Sequence, residues 1–276
     1  MPVIAMTREI ATRGSEVAAG LAARLGLTVI HPELVEHEIA ERSGMPENTV
    51  HRFLEGEASL WDRWKLDRLR VSQYTAQEIL ELAARGNILI RGWSAASLLR
   101  FIPHVVCVRI CAPMSFREGI LMERLGTGNV AAARHEILQS DAAHNGAMQT
   151  SIGADWKDPS LYAMVLNTAR IPVEDCVEQI ARLTERPPFL ETVDSRAVLM
   201  DELILARIRC AMDKRFGPKS LQNGFEVNVF GGKVLLSGAS TDEHMIVDAL
   251  RLLQGIEGVK GVECRVAHVA FVPHVS

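Results

Sequence analysis

Residues 3–25 of the chain have the sequence VIAMTREIATRGSEVAAGLAARL. The first four are apolar, as in a buried strand, and Val17 and Leu21 belong to a series with the period of a helix packed on a sheet. A polar loop, residues 7–14, separates the two patterns and ends in Gly14. A strand, a loop and a helix N-terminus aim unpaired backbone N–H groups at one spot, so this segment predicts a binding site for an anion, usually a phosphate.

The first 185 residues continue this alternation of short apolar runs and helical patterns. Further strands are predicted at residues 27–30, 88–90, 105–110 and 164–166. Helices are predicted at residues 15–25, 33–43, 66–85, 115–148 with a break at 126–129, and 173–184. This alternation is typical of the α/β class, in which helices cover both faces of a parallel sheet.

A second, smaller domain is predicted after the segment Glu185-Arg186-Pro187-Pro188, because two consecutive prolines favour an extended connector. The sequence thus predicts a first domain at 1–185, a linker at 186–198 and a second domain at 199–276. In the second domain a helix at 201–216, a hairpin at 225–236, a helix from Thr241 or Asp242 to Leu253 and a strand at 262–269 form an αββαβ order.

Composition excludes several classes of partner. A formal net charge of -4 and a pI near 6.2 give no broad basic field, so a nucleic acid polymer is not an expected partner. The five cysteines are scattered singly, which indicates reduced thiols and no metal site. Because no apolar run reaches the roughly 18 residues that cross a bilayer and no signal peptide is recognised, the sequence predicts no transmembrane segment and a cytoplasmic location.

Several motifs in order resemble the cytidylate-kinase-like P-loop family over about residues 1–185. They are Thr7-Arg8-Glu9, Gly14, Glu33-Leu34, Ser43-Gly44, the strand segment 86–90, Phe116-Arg117 and the segment 155–168. The resemblance implies the fold of nucleoside monophosphate kinases, with a P-loop parallel sheet and helices on both faces. It also implies phosphoryl transfer from ATP, with Mg²⁺, to a small nucleotide.

The same resemblance implies a set of site residues. The nucleotide-binding residues would be Thr7, Arg8, Ala11, Thr12, Arg13, Gly14, Ser15 and Glu16. Arg13, Arg117 and Arg124 would be the catalytic cations. Arg91 and His31 would contact the acceptor, and Asp141 and His144 would belong to a lid. No residue is expected to bind a metal directly.

Six of these positions depart from the family pattern. Ala11 and Arg13 stand where the family has a glycine-rich turn, Ser15 stands where it has a basic residue, and His144 stands where it has a lid arginine. Arg91 is displaced by one position, and His31 stands where the family has an aspartate. Phosphoryl transfer depends on positioning and charge neutralisation, so the departures predict weakened or altered catalysis. Two hypotheses follow: a kinase of a small phosphorylated acceptor, or an inactive pseudokinase that acts as a nucleotide sensor or scaffold.

Some candidates also have a structural interpretation. Arg8 is placed to pair with Glu9 or Glu33 instead of a ligand, and Arg117 and Arg124, seven residues apart, are equally typical of a solvated helix face. Asp155 and Asp158 could bind magnesium, but a loop that ends in Asp-Pro more often forms a turn.

Glycine-containing motifs in the C-terminal part resemble the BON family over about residues 199–269. They are the segment 231–238, Ala249 and the segment 258–262. The resemblance implies a domain that binds a lipid surface, a ligand or a partner protein. Such a domain would localise or regulate the first one.

Overall fold

A computed structural model describes residues 1–30, 32–54, 64–92, 95–153, 155–217 and 224–269. Its described residues form two compact units. The first comprises Met1–Leu60 and Arg85–Ser195, and the second comprises Trp61–Ala84 and Arg196–Ser276. The second unit therefore combines two separate parts of the chain.

The described elements follow one another in chain order. The strands are β1 (Val3–Arg8), β2 (Thr28–Ile30), β3 (Ile88–Arg91), β4 (Val105–Cys111), β5 (Met164–Asn167), β6 (Phe225–Phe230), β7 (Lys233–Ser240) and β8 (Gly261–His268). The helices are α1 (Gly14–Leu25), α2 (Pro32–Ser43), α3 (Glu47–Leu54), α4 (Trp64–Arg85), α5 (Ala95–Leu99), α6 (Met114–Leu125), α7 (Val130–Ile152), α8 (Val173–Thr184), α9 (Val193–Phe216) and α10 (Glu243–Gln254).

The first unit contains a five-stranded parallel sheet in the order β2-β3-β1-β4-β5. The first strand of the chain is thus its centre, and Ala5 of β1 pairs with Ile90 on one side and Cys107 on the other. Helices α1 and α8 pack on the sheet through a buried cluster that includes Val17 and Ile180. This arrangement confirms the predicted α/β class with a parallel sheet flanked by helices.

The elements with a strong apolar period were predicted to within a few residues. Two short helices, α3 and α5, were not predicted. Helix α9 begins at Val193, inside the segment 186–198 for which the sequence predicts a linker. Helix α4 was predicted correctly as a helix, but its residues up to Ala84 belong to the second unit, whereas the sequence placed it in the first domain.

The second unit is built on the three-stranded sheet β6-β7-β8. Strands β6 and β7 are antiparallel, and β8 runs parallel to β7. One buried cluster joins this sheet to α9 and α10, with Ile208 from α9, Leu236 from β7 and Ala249 from α10 among its members. The predicted order of helix, hairpin, helix and strand is confirmed.

Helix α4 completes the second unit by lying antiparallel to α9. Arg70 and Tyr74, in the first half of α4, both donate to the Asp213 carboxylate, at 3.0 and 3.3 Å. Nearer its end, Glu81 accepts a hydrogen bond of 3.3 Å from Arg207. The later residue of α4, Glu81, contacts the earlier residue of α9, Arg207, so the two helices run in opposite directions. Among the described helices, none combines the length and the apolar character needed to cross a membrane.

Candidate functional site

The loop between β1 and α1 lies at the carboxyl edge of the first unit's sheet. Its strand, β1, is flanked by β3 and β4, and all three end at the same edge because they are parallel. In open α/β sheets, ligands bind in the crevice at this edge. The topology therefore places residues 9–13, which we call the anion loop, where a ligand site is expected.

The anion loop has a backbone shape that suits a phosphate. Ala11 and Arg13 both have positive φ, 60° and 56°, which is the left-handed conformation that glycine adopts most easily. Within the described part of the chain, the backbone N–H groups of residues 10–13 make no hydrogen bonds. Successive amides that alternate between right- and left-handed conformations form a concave anion-binding nest, and the N-terminus of α1 adds its positive dipole end.

Three carbonyl groups of the anion loop, in contrast, accept hydrogen bonds from side chains. The Thr12 hydroxyl donates to the Glu9 carbonyl at 2.7 Å, and the Arg117 Nε donates to the Ile10 carbonyl at 2.9 Å. The Thr168 hydroxyl, just after β5, donates to the Thr12 carbonyl at 2.7 Å. The carbonyl groups of residues 9, 10 and 12 are thus engaged by side chains, while the N–H groups of residues 10–13 have no partner among the described residues.

A buried ion-pair network lies behind the loop. The Glu9 carboxylate, 5% exposed, accepts hydrogen bonds from Arg109 and from the Ala112 N–H, and Arg117 lies 3.5 Å away. Arg117 also forms a two-pronged pair with Asp141 of α7, at 2.7 and 2.9 Å. Buried charges of this kind are stable only when they are paired and hydrogen-bonded, as these are.

Helix α7, the predicted lid, packs against the anion loop. Ala133 and Ile137 of α7 share a buried cluster with Ala11 of the loop. His144 stacks on the buried Trp156 ring, with ring centroids 5.2 Å apart, and its Nδ1 lies 2.8 Å from the Ser140 carbonyl oxygen. Asp141 and His144 thus both take part in contacts within the first unit.

The predicted catalytic cations have three different environments. Arg117 is buried, with a side chain only 3% exposed, and is engaged by the loop and by Asp141. Arg13 is exposed, with its guanidinium 6.0 Å from the centre of the Phe116 ring. Arg124 is exposed near the end of α6. Of the three, Arg13 lies in the anion loop with a side chain that solvent reaches.

The other predicted nucleotide-binding residues lie around the same corner. Thr7 and Arg8 end β1, and Ser15 and Glu16 are exposed in the first turn of α1. Gly14 is covered by the stem of Arg8: a Cβ atom there would lie 2.9 Å from the Arg8 Cβ. A glycine is therefore required at position 14 for steric reasons.

Of the predicted acceptor-binding residues, Arg91 lies at the end of β3, beside β1. It is partly exposed, and its Nε is buried without a hydrogen-bond partner among the described residues. His31 falls outside the described residues. Asp155 and Asp158 accept backbone hydrogen bonds from Lys157 and Ser160, which is the turn arrangement considered for them. In the described ranges, no group of three or more His, Cys, Asp or Glu side chains could hold a metal ion.

Sequence reasoning did not single out Glu9, Arg109 or Thr168 as site residues. Arg109 had an available signal, because it is the one charged residue in the apolar strand VVCVRIC. Burial of a charge in such a strand requires a partner, and Glu9 supplies it. Thr168 carried no comparable signal, since a threonine after a strand is an ordinary turn residue.

A parallel sheet whose central strand leads through an open amide loop into a helix is the arrangement of P-loop kinases. The sequence matches the model of the cytidylate kinase-like family over residues 3–170, and the chain belongs to this family. A cytidylate kinase from Pyrobaculum aerophilum is 26% identical over 178 residues, which cover 64% of this chain and 89% of that relative. The crystal structure of an uncharacterized protein from Eubacterium ventriosum superposes with a TM-score of 0.53 at 16% identity, over 67% of this chain and 99% of that one.

Proposed function

We propose that the protein binds ATP at the anion loop and transfers its terminal phosphoryl group to a small phosphorylated acceptor such as a nucleoside monophosphate. In this reaction an acceptor phosphate oxygen attacks the γ-phosphorus, the bond to the bridging oxygen breaks, and ADP leaves. The observation that carries the proposal is the set of unpartnered amides at residues 10–13, placed at the carboxyl end of the central strand. Membership in the cytidylate kinase-like family supports the same chemistry.

The described residues suggest which groups would bind the ATP phosphates and the acceptor. The amides of the anion loop and the first turn of α1 would hold the phosphates, and Arg13 is the exposed cation nearest to them in sequence. Arg91, whose Nε lacks a partner, would face the acceptor at the same sheet edge. Because the described residues offer no metal cluster, Mg²⁺ would be held mainly by the phosphate oxygens, where it supplies charge neutralisation.

A second candidate function is nucleotide sensing without catalysis. It is favoured by Ser15, which leaves the first turn of α1 without a basic side chain, and by Arg117, whose guanidinium is bound by Asp141 and the Ile10 carbonyl. A protein of this kind would bind ATP but lack the charge that stabilises the transition state.

We also propose that residues 199–269 act as a BON domain that binds a partner protein or a lipid surface. The helix, hairpin, helix and strand order of the second unit supports this proposal. All five cysteines are free thiols, which suits a reducing compartment such as the cytoplasm.

Calorimetry and turnover together distinguish the candidates. ATP is titrated into the protein with and without Mg²⁺, and ADP formation is followed in a coupled assay with CMP and a panel of other nucleoside monophosphates. Binding with turnover supports the kinase, binding without turnover supports the sensor, and absence of binding overturns both. The variant Ser15→Lys should increase turnover at least about tenfold if the missing charge limits the rate. Ser15→Gln, which is similar in length but neutral, is the matched control and should not.

A further inference from the structure

The three loop carbonyls bound by side chains determine where the loop amides point. In a trans peptide group the C=O and the next residue's N–H point in opposite directions. Arg117 holds the Ile10 carbonyl, so the Ala11 N–H points to the opposite side. Thr168 holds the Thr12 carbonyl, so the Arg13 N–H points away from Thr168.

This support acts on the two loop residues that have left-handed backbones. Neither Ala11 nor Arg13 is a glycine, and an L-residue leaves this conformation readily unless its surroundings hold it. Thr168 is suited to hold it because the residue is buried, 8% exposed, and its N–H donates to the Cys111 carbonyl at 3.1 Å. The hydroxyl therefore reaches the loop from the rigid end of the sheet.

Arg117 is fixed from the other side. Both of its terminal nitrogens bind Asp141, and Glu9 lies within ion-pair distance, so its guanidinium cannot turn toward a ligand without breaking buried pairs. In this position it supports the loop instead of neutralising a phosphate.

We propose that Thr168 and Arg117 are positioning residues that aim the Ala11 and Arg13 amides at the phosphates of the bound anion. This inference rests on the proposed binding of a polyphosphate at the anion loop. It assigns to two side chains from distant parts of the sequence the role that loop glycines have in a flexible phosphate loop.

The test uses Thr168 because its removal leaves no buried charge unpaired. Thr168→Val removes the hydroxyl at nearly constant shape, and Thr168→Ser retains it. The matched control is Thr184→Val: Thr184 is also 8% exposed, and its hydroxyl also donates to a backbone carbonyl, that of Ala181, at 2.7 Å. The affinities of the full-length variants for ATP and for inorganic tripolyphosphate are measured by calorimetry, and stability by urea unfolding.

Thr168→Val should weaken binding of both anions about tenfold, which corresponds to the loss of one buried hydrogen bond. Thr168→Ser should bind within about twofold of the wild type. Thr184→Val should lose similar stability without losing affinity. If Thr168→Val binds as tightly as the wild type, or Thr184→Val weakens binding as much, the positioning role is overturned while the proposed function stands. Absence of binding by the wild type overturns both.

Discussion

Arg13 has a left-handed backbone and an exposed side chain. The effect of its backbone conformation on stability can therefore be measured without disturbing a buried core. The left-handed conformation costs an L-residue about 1–2 kcal/mol, and glycine avoids that cost. Glycine also destabilises the folded state by about 0.4–1 kcal/mol, because it gives the unfolded chain more conformational freedom. We expect Arg13→Gly to be more stable than Arg13→Ala by roughly 0.5–1 kcal/mol. The free energies of unfolding in urea measure the difference.

Comparison of these two variants removes the side chain in both, including its contact with the Phe116 ring. Any difference then comes from the backbone at position 13. Equal stability, or a more stable alanine variant, would show that the loop is not strained at this position.

The ion pair between Glu9 and Arg109 illustrates what single residues reveal in a sequence. The loop at residues 7–14 could be predicted, because its position between an apolar run and a helical period is a local signal. The partner of Glu9 is 100 residues away, and it meets Glu9 only because β4 pairs with β1 so that Thr7 lies opposite Arg109. Such pairing depends on strand order, which the sequence does not state.

The contact between α4 and α9 contains a tyrosine with a perturbed acidity. Tyr74 is 4% exposed, and burial, with the nearby Asp213 carboxylate as the next cause, raises its pKa to about 12. In the unfolded chain a tyrosine loses its proton near pH 10, so above that pH the unfolded state is favoured. We expect stability to fall by roughly 2 kcal/mol between about pH 10 and 12 because of this group.

The variant Tyr74→Phe tests this expectation. At neutral pH it should be less stable by about 1 kcal/mol, since the hydrogen bond to Asp213 is lost, and the deficit should shrink or reverse above about pH 10. Urea unfolding across this pH range gives both curves. The chain has two tyrosines, so phenolate absorbance in the variant reports Tyr162 alone. A deficit that is constant with pH would contradict the raised pKa.

At the scale of elements, the sequence predicted what local periodicity encodes. The five strands of the first sheet and the long helices follow from apolar runs and a 3.6-residue period. The partner of α4 could not be predicted in this way, because an amphipathic helix shows that one face is buried but not what covers it. Here two polar pairs join α4 to α9: Arg70 with Asp213, and Glu81 with Arg207.

At the scale of the whole molecule, the second unit is formed by two separate segments of the chain. The family match covers residues 3–170, and α4 lies within that range but belongs to the second unit. A boundary drawn from the prolines at 187 and 188 therefore divides α9 from a helix on which it packs. The second unit is accordingly expected to depend on α4 for its stability.

Two fragments test this dependence. On α9, Leu203, Ala206 and Cys210 are buried outside the sheet cluster, on the face that includes Asp213. A fragment of residues 193–276 would expose them, so we expect it to unfold without a cooperative transition and to bind a hydrophobic dye. A second fragment joins residues 64–85 to residues 193–276 through a flexible linker, and it should unfold cooperatively.

The linker length follows from the antiparallel pairs. Glu81 lies beside Arg207, so the end of α4 is about ten residues, or 15 Å, from the start of α9, and about ten Gly/Ser residues span that distance. As a control, Tyr74→Ala in the joined fragment should lower its midpoint by removing a buried side chain of the contact. If residues 193–276 alone unfold as cooperatively as the joined fragment, the second unit is complete without α4, and the helix is an accessory to an independent domain.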